Sequence, residues 1–471
     1  MRRFHRNRPE HSAKQSCARG GYVRRLRLCV TACALLLFGF TTDLTVATVN
    51  NAHMLAMQRL SGEFERAHPG VRIRWVTLEE GQLRQQVAAD IATHSGRFDV
   101  MTIGMLETPL WGKRGWLLPF EPPKAYDLPD LLPPVRDGLS VDGTLYAAPF
   151  YGESSMTFAR ADLLRAKGLT LPEHPTWQQI AELAEALHDP AHGVSGICLR
   201  GKAGWGENMT LLTTMANSFG GQWFDLAWKP QLTSPAWRTA IALYVDLLRK
   251  YGPKGAVSNG FNENLALFSA GRCALWVDAS VAGAFLDAAE HSKVAGSVAF
   301  AQAPYGTTDK GAHWLWSWAL AVPTSSKHPD VALSFIAWAT SREYVSLVRE
   351  RYGVQAVPSG TRASTYRLPG FQEANAYARY ERTAIATADP LDSTVPKSPY
   401  RGVQFAGIPE FQSIGTVVGT MISSLLSAGS VDEVAARAQR VAEKKMIEAG
   451  YIKEAEKTSP TSTSSGPPPS Q

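Results

Sequence analysis

From residue 43 the apolar positions switch repeatedly between two periods. "DLTVATVNN" (43–51) reads as a strand ending in polar residues. "HMLAMQRLSGEFERAHPG" (53–70) repeats apolar residues at helical spacing and stops at a Pro-Gly pair. "VRIRWVTLEE" (71–80) alternates as a strand does, and "GQLRQQVAADIATHSG" (81–96) returns to the helical period. "FDVMTIGM" (98–105) is nearly continuous in apolar residues, the pattern of a strand covered on both faces. The order β-α-β-α-β predicts an α/β fold built on a doubly wound parallel sheet, with ligands at the carboxyl ends of its strands. Those ends carry Asn50–Asn51, Glu79–Glu80 and Met105–Glu107. Asn51, Glu79 and Glu107 are therefore candidate ligand contacts, with helix capping and solvated strand ends as the bland alternatives.

Further along, "LYAAPFYGESSMTFARADLL" (145–164) reads as an extended passage into a second region. Residues 177–188 and 236–250 read as amphipathic helices, and "HPDVALSFIAWATS" (328–341) as another. From Val403 to Met446 the chain reads as helical, and the Ser/Pro-rich residues 456–471 as a disordered tail. "GAHWLWSWALAVP" (311–323) sets Trp314, Trp316 and Trp318 at every second position. In an extended chain all three point one way, into a core or as a platform for a ring-like ligand. Trp318, running on into "ALAVP", is assigned to packing, and Trp314 and Trp316 to the platform.

The 471 residues exceed one small core and suggest two domains. Nine Lys and Arg against one acid, Glu10, fall in residues 1–42. The net charge of +6 thus hides a +8 leader and a body of −2, which gives no reason to expect nucleic acid as a partner. A basic stretch followed by the apolar run Leu28–Phe40 reads as a secretory signal peptide over 1–42, removed or kept as an anchor. Cys17, Cys29 and Cys33 fall within that leader. Cys198 and Cys273 remain, and they read as small buried residues in a compartment that permits a disulfide. No spacing suggests a metal site, and no glycine-rich phosphate loop suggests a nucleotide, so no cofactor is expected.

Four segments pair an aromatic ring with a carboxylate or amide. They offer Tyr151 with Glu153, Trp205 with Glu207 and Asn208, Asp278 with Trp276, and Trp314 with Trp316 near His313. Carboxylates accept pairs of hydroxyls while aromatic faces cover a C–H skeleton, so such pairs suit a sugar or a polyol. The alternative for each ring is the core. No nucleophile elbow or zinc motif is present. Glu153 and Asp278 leave a secreted glycoside hydrolase open as a minor reading.

Several stretches carry a resemblance. "DVMTIGMLETPLWGKRGWL" (99–117), "PFYGESSMTF" (149–158), "GICLRGKAGWGENM" (196–209) and "NGFNENLALFSAGRCALWVDASV" (259–281) are similar to the extracytoplasmic solute-binding proteins of bacterial ABC transporters. "GAHWLWSWALAVPTSSK" (311–327) and "GVQFAGIPEFQSIGT" (402–416) extend the likeness over roughly 43–455, closest to members that bind polyols such as mannitol or sorbitol. The resemblance implies two hinged α/β lobes, with 43–150 and about 318–370 in the first and 151–317 and about 371–455 in the second. It implies a monomer in the periplasm that captures a polyol, or alternatively a cyclic mono- or oligosaccharide, and delivers it to a membrane permease. Its cleft maps onto Asn51, Glu79, Glu107, Tyr151, Glu153, Trp205, Asp278, Trp314 and Trp316, with Arg351 as a further candidate.

Overall fold

A computed structural model describes residues 42–287 and 292–453. The expected leader, apart from Thr42, and the expected tail lie outside the described residues. The alternating stretch at the start of the body forms β1 (Thr42–Val49), which buries Leu44, Val46 and Ala47. Asn51 caps the next helix, Ala52–Ala67, by accepting from the Met54 amide at 3.0 Å. Met54, Met57, Leu60 and Phe64 recur along the buried side of that helix. β2 (Val71–Leu78), helix Glu80–Thr93 and β3 (Val100–Ile103) complete the β-α-β-α-β order. β1 pairs in parallel with β2 on one side and β3 on the other.

A short hairpin, β4 (Ser140–Val141) and β5 (Thr144–Leu145), precedes β6 (Ala148–Glu153). One residue later β7 (Ser155–Arg160) begins in a different sheet. With β8 (Ser195–Cys198), β9 (Cys273–Ala279) and β10 (Val298–Gln302) it forms a four-stranded sheet ordered β10-β7-β9-β8. The chain then returns as β11 (Trp316–Ala321) to complete a five-stranded sheet ordered β2-β1-β3-β11-β6. Each sheet forms the centre of one lobe.

Both sheets are mixed rather than purely parallel, as the first three strands alone had suggested. β11 runs antiparallel to β3 and β6, while β7 runs antiparallel to β9 and β10. The reason is topological. β11 arrives from the other sheet, so it enters at the edge where β1 and β3 end and must run the opposite way. The Trp row is also shorter than the spacing suggested: the strand begins at Trp316, and Trp314 lies in the segment that approaches it.

The linking segments are fastened to one another. Ser154 Oγ donates to the Trp314 carbonyl at 2.7 Å, and Ser155 Oγ to the Ala312 carbonyl at 3.1 Å. A third segment joins them where the Gly152 amide donates to the Ser359 carbonyl at 2.9 Å. There the Gly152 and Gly360 backbones approach so closely that a Cβ on either would overlap the other's carbonyl. Helix Ala378–Thr387 packs against β6, β7 and β10 and so touches both sheets. The expected C-terminal helical region begins only at Phe411. Helices Phe411–Ser424 and Val431–Glu448 pack on helices Asn208–Ser218 and Pro235–Tyr251 of the second lobe. Before them, Gln404 holds the Leu315 backbone through both its amide and its carbonyl. Among the described residues no helix is long and apolar enough to cross a membrane, and no cluster of His, Cys, Asp or Glu has the arrangement of a metal site.

Cys198 and Cys273, expected as separate buried residues, are joined by a disulfide between the parallel neighbours β8 and β9. Their Cα atoms lie 5.9 Å apart across a sequence separation of 75 residues. Closing so long a loop restricts the unfolded chain, so replacing both cysteines with alanine is expected to cost about 2–4 kcal/mol in urea denaturation. Equal midpoints for the two proteins would mean that the bond adds nothing to the folded state.

Candidate functional site

The carboxyl ends of β1, β2, β6 and β8 face one another across a cavity of about 760 Å³, its open mouth included. Asn51 lies past the end of β1, Glu79 and Glu80 past β2, and Tyr151 and Glu153 close β6. From the second lobe come Arg200 and Lys202 beyond β8, then Trp205 and Glu207 in the loop that follows. Trp314, Trp316 and Trp318 complete the wall. Of the ten residues expected at the site, seven line this cavity: Asn51, Glu79, Tyr151, Glu153, Trp205, Trp314 and Trp316.

Glu107, Asp278 and Arg351 do not. Glu107 is buried behind the wall, where it accepts from Arg84 Nη1 at 2.6 Å and from the Gly104 amide at 3.1 Å. Asp278 is fully buried and accepts from both Nε and Nη2 of Arg200, from Trp276 Nε1 and from the Ala279 amide. Its oxygens are committed to the arginine, the Trp276 indole N–H and the Ala279 amide, and it does not line the cavity beside Glu153. Arg351 sits exposed on helix Arg342–Tyr352 and pairs with Glu63 at 3.1 Å. Trp318, assigned to packing, is buried in the core and lines the cavity as well, because residues two apart on β11 share a face.

The sequence reading had no place for Arg84. Its guanidinium lies 4.0 Å from the Trp205 ring centroid and 4.9 Å from those of Trp316 and Trp318. Glu80, one turn earlier on the same helix, accepts from its Nε and Nη2 at 3.1 and 2.9 Å. Trp316 itself lies so close over Gly104 that a Cβ there would overlap its ring. The two lobes also touch directly. Lys202 Nζ lies 3.5 Å from Glu79, and Asn262 Nδ2 donates to the Asn50 carbonyl at 3.3 Å. A sequence signal existed for Arg200 and Lys202, which directly follow a strand end, but not for Arg84 beyond its i, i+4 relation to Glu80.

Several lining residues keep hydrogen-bonding capacity in reserve. Trp205 Nε1, Trp314 Nε1 and Glu207 Oε2 are buried with no hydrogen-bond partner among the described residues. Asn51 has less to spare, since its Oδ1 caps a helix and its Nδ2 donates to the Tyr151 hydroxyl at 2.9 Å. Burial pushes the Glu153 carboxyl up to about 8. Asp278, Glu80 and Glu381 add to the shift, and Arg200 opposes it. Burial also raises Glu207, against the pull of Arg200 and Lys202. Arg200 is itself buried, yet Asp278 holds it firmly charged.

Glu153 thus keeps its proton in the folded protein at a pH where the unfolded chain has lost it. The stability this provides is full below pH about 4.5 and is lost as the pH rises to about 8, with a slope approaching 1.4 kcal/mol per pH unit. Denaturation across that window should show the decline in the parent protein and a flatter profile in Glu153→Gln. Parallel profiles would assign the decline to other groups.

Residues 50–346 match the bacterial extracellular solute-binding protein family. The chain is 52% identical over 433 residues to a mannitol-binding protein of Pseudomonas aeruginosa, covering 91% of this chain and 99% of that one. It superposes with a TM-score of 0.86 on an ABC transporter solute-binding protein of Agrobacterium vitis S4 with bound D-mannitol. That protein is also 52% identical, with 87% of this chain and 99% of the other covered. A solute-binding protein of Agrobacterium radiobacter K84 in complex with ribitol is 22% identical with a TM-score of 0.75, over 86% of this chain and 98% of that one, a likeness of fold. These relatives are ligand-binding proteins and not enzymes. With its two lobes and the cavity between them, the chain belongs to the bacterial extracellular solute-binding protein family.

Proposed function

We propose that this protein is the substrate-capturing component of an ABC importer for a linear polyol, with mannitol the first candidate. The observation that carries the reading is the D-mannitol held by a protein that is 52% identical and superposes at a TM-score of 0.86. The chemistry of the cavity supports it. Glu79, Glu153 and Glu207 supply acceptors, the buried Trp205 and Trp314 N–H groups are donors without partners among the described residues, and the rings of Trp314, Trp316 and Trp318 cover a C–H skeleton. A site that satisfies many hydroxyls rejects ligands without them, because its own polar groups would be stranded.

On this reading the lobes are residues 43–150 with about 318–370, and 151–317 with about 371–455, the first two boundaries falling within β6 and β11. They close over the ligand by a hinge motion at the fastened linking segments. The closed protein, a monomer in the periplasm delivered there by residues 1–42, passes its ligand to the membrane permease.

Calorimetric titration with mannitol, sorbitol, glucose, maltose and simple glycosides tests the proposal. Mannitol is expected to bind, and at a hundred times its dissociation constant to stabilise the fold by about 2.7 kcal/mol. Trp316→Ala is expected to weaken it by more than about tenfold while the protein stays folded. Binding of cyclic sugars alone would discard the polyol, and turnover of a glycoside without binding of any polyol would sink the transport role.

A further inference from the structure

We propose that the cleft selects neutral polyols against their acid and phosphate analogues, and that Glu207 and Glu79 set this selectivity by occupying a cation that an anion would need. The inference rests on the polyol reading and adds the class of ligand that is refused.

Three cations line the cavity, and each is already engaged. Arg84 is held by Glu80 at 2.9 Å and Glu107 at 2.6 Å. Arg200 is held by Asp278 at 2.7 Å, with Glu207 at 3.7 Å. Lys202 lies 3.3 Å from Glu207 and 3.5 Å from Glu79. Five carboxyl groups therefore serve three cations. Glu153 and Glu263 also line the cavity, outside these ion pairs.

A sugar acid entering this space has two options. It breaks an existing pair and strands a buried carboxylate, or it stays unpaired among carboxyl groups. Both are costly where water is excluded. A neutral polyol meets neither cost, since paired carboxylates keep lone pairs free for hydroxyl donors. Selectivity of this kind comes from the refusal built against the competitor as much as from contacts to the ligand.

Lys202 is the cation most readily released. Its side chain is 36% exposed, against 6% for Arg84 and 7% for Arg200, and its contacts at 3.3 and 3.5 Å are longer than those of Arg84 with Glu80 and Glu107 or of Arg200 with Asp278. Removing the charge of Glu207 leaves Lys202 with Glu79 as its one ion-pair partner among the described residues. Removing that of Glu79 leaves Glu207 in that place, and the Glu79 side chain is half exposed, so this second variant tests the proposal even where Glu207→Gln disturbs the fold.

The experiment is calorimetric titration of the parent protein, Glu207→Gln and Glu79→Gln with D-mannitol, D-mannonate and D-mannitol 1-phosphate at neutral pH. The parent is expected to bind the two anions at least roughly a hundredfold more weakly than mannitol. In each variant the ratio of mannonate to mannitol affinity should rise by roughly tenfold. A merely structural role for these glutamates would weaken all three ligands together and leave the ratio unmoved, which would overturn the proposal. Parent affinity for mannonate within about tenfold of that for mannitol would overturn it too, with the polyol reading intact. Binding of mannonate without mannitol, or of no ligand at all, would take down both.

Discussion

A guanidinium removed from water must be given a counter-charge, and this protein does so twice around one cavity. Burying an unpaired charge costs more than most folds can offset, whereas a well-seated pair with its remaining hydrogen bonds met is tolerable. Arg84 in the first lobe and Arg200 in the second are both buried, and each is gripped from behind by a carboxylate that does not reach the cavity. Much of the local architecture serves these two grips. Glu107 opens helix Glu107–Lys113, where the helix dipole also favours its charge. Asp278 lies on β9, which the disulfide ties to β8, two residues before Arg200.

The tryptophans belong to the same arrangement. Trp205, Trp316 and Trp318 surround the Arg84 guanidinium, and Trp205 meets Trp316 edge-on at 5.7 Å. Their faces shield the Arg84–Glu80–Glu107 group from water, which strengthens its electrostatics. They also join the lobes, because Arg84 comes from one and Trp205 from the other. Platform and core, posed as alternatives from the sequence, describe the same rings from two sides: one face lines the cavity while another packs on an arginine or on Gly104.

The backbone plan was legible because it rests on periodicity. The switch from alternation to helical spacing located β1, β2, β3 and their helices; the strand-end rule pointed to Asn51 and Glu79, and the pairing of a ring with a carboxylate to Tyr151 and Glu153, all four of which line one cavity. What was not legible depends on which charge finds which partner across a long sequence distance. Glu107 and Asp278 have the right type and the right strand ends, yet each turns away toward an arginine that no local pattern connects to it. Arg84 looks like any polar position on an amphipathic helix. The Cys198–Cys273 pairing depends on the register of two strands 75 residues apart, which spacing alone does not contain.

The meeting of Gly152 and Gly360 bears on how this chain is able to change over time. An added side chain at either position meets the main chain of the other segment, not a side chain that a compensating substitution might trim. No paired replacement therefore relieves the overlap, and a larger residue requires the path of a whole linking segment to shift. Loops and cavity walls are free to drift toward new ligands, while this one crossing of backbones is closed to gradual exploration in every descendant that keeps the fold.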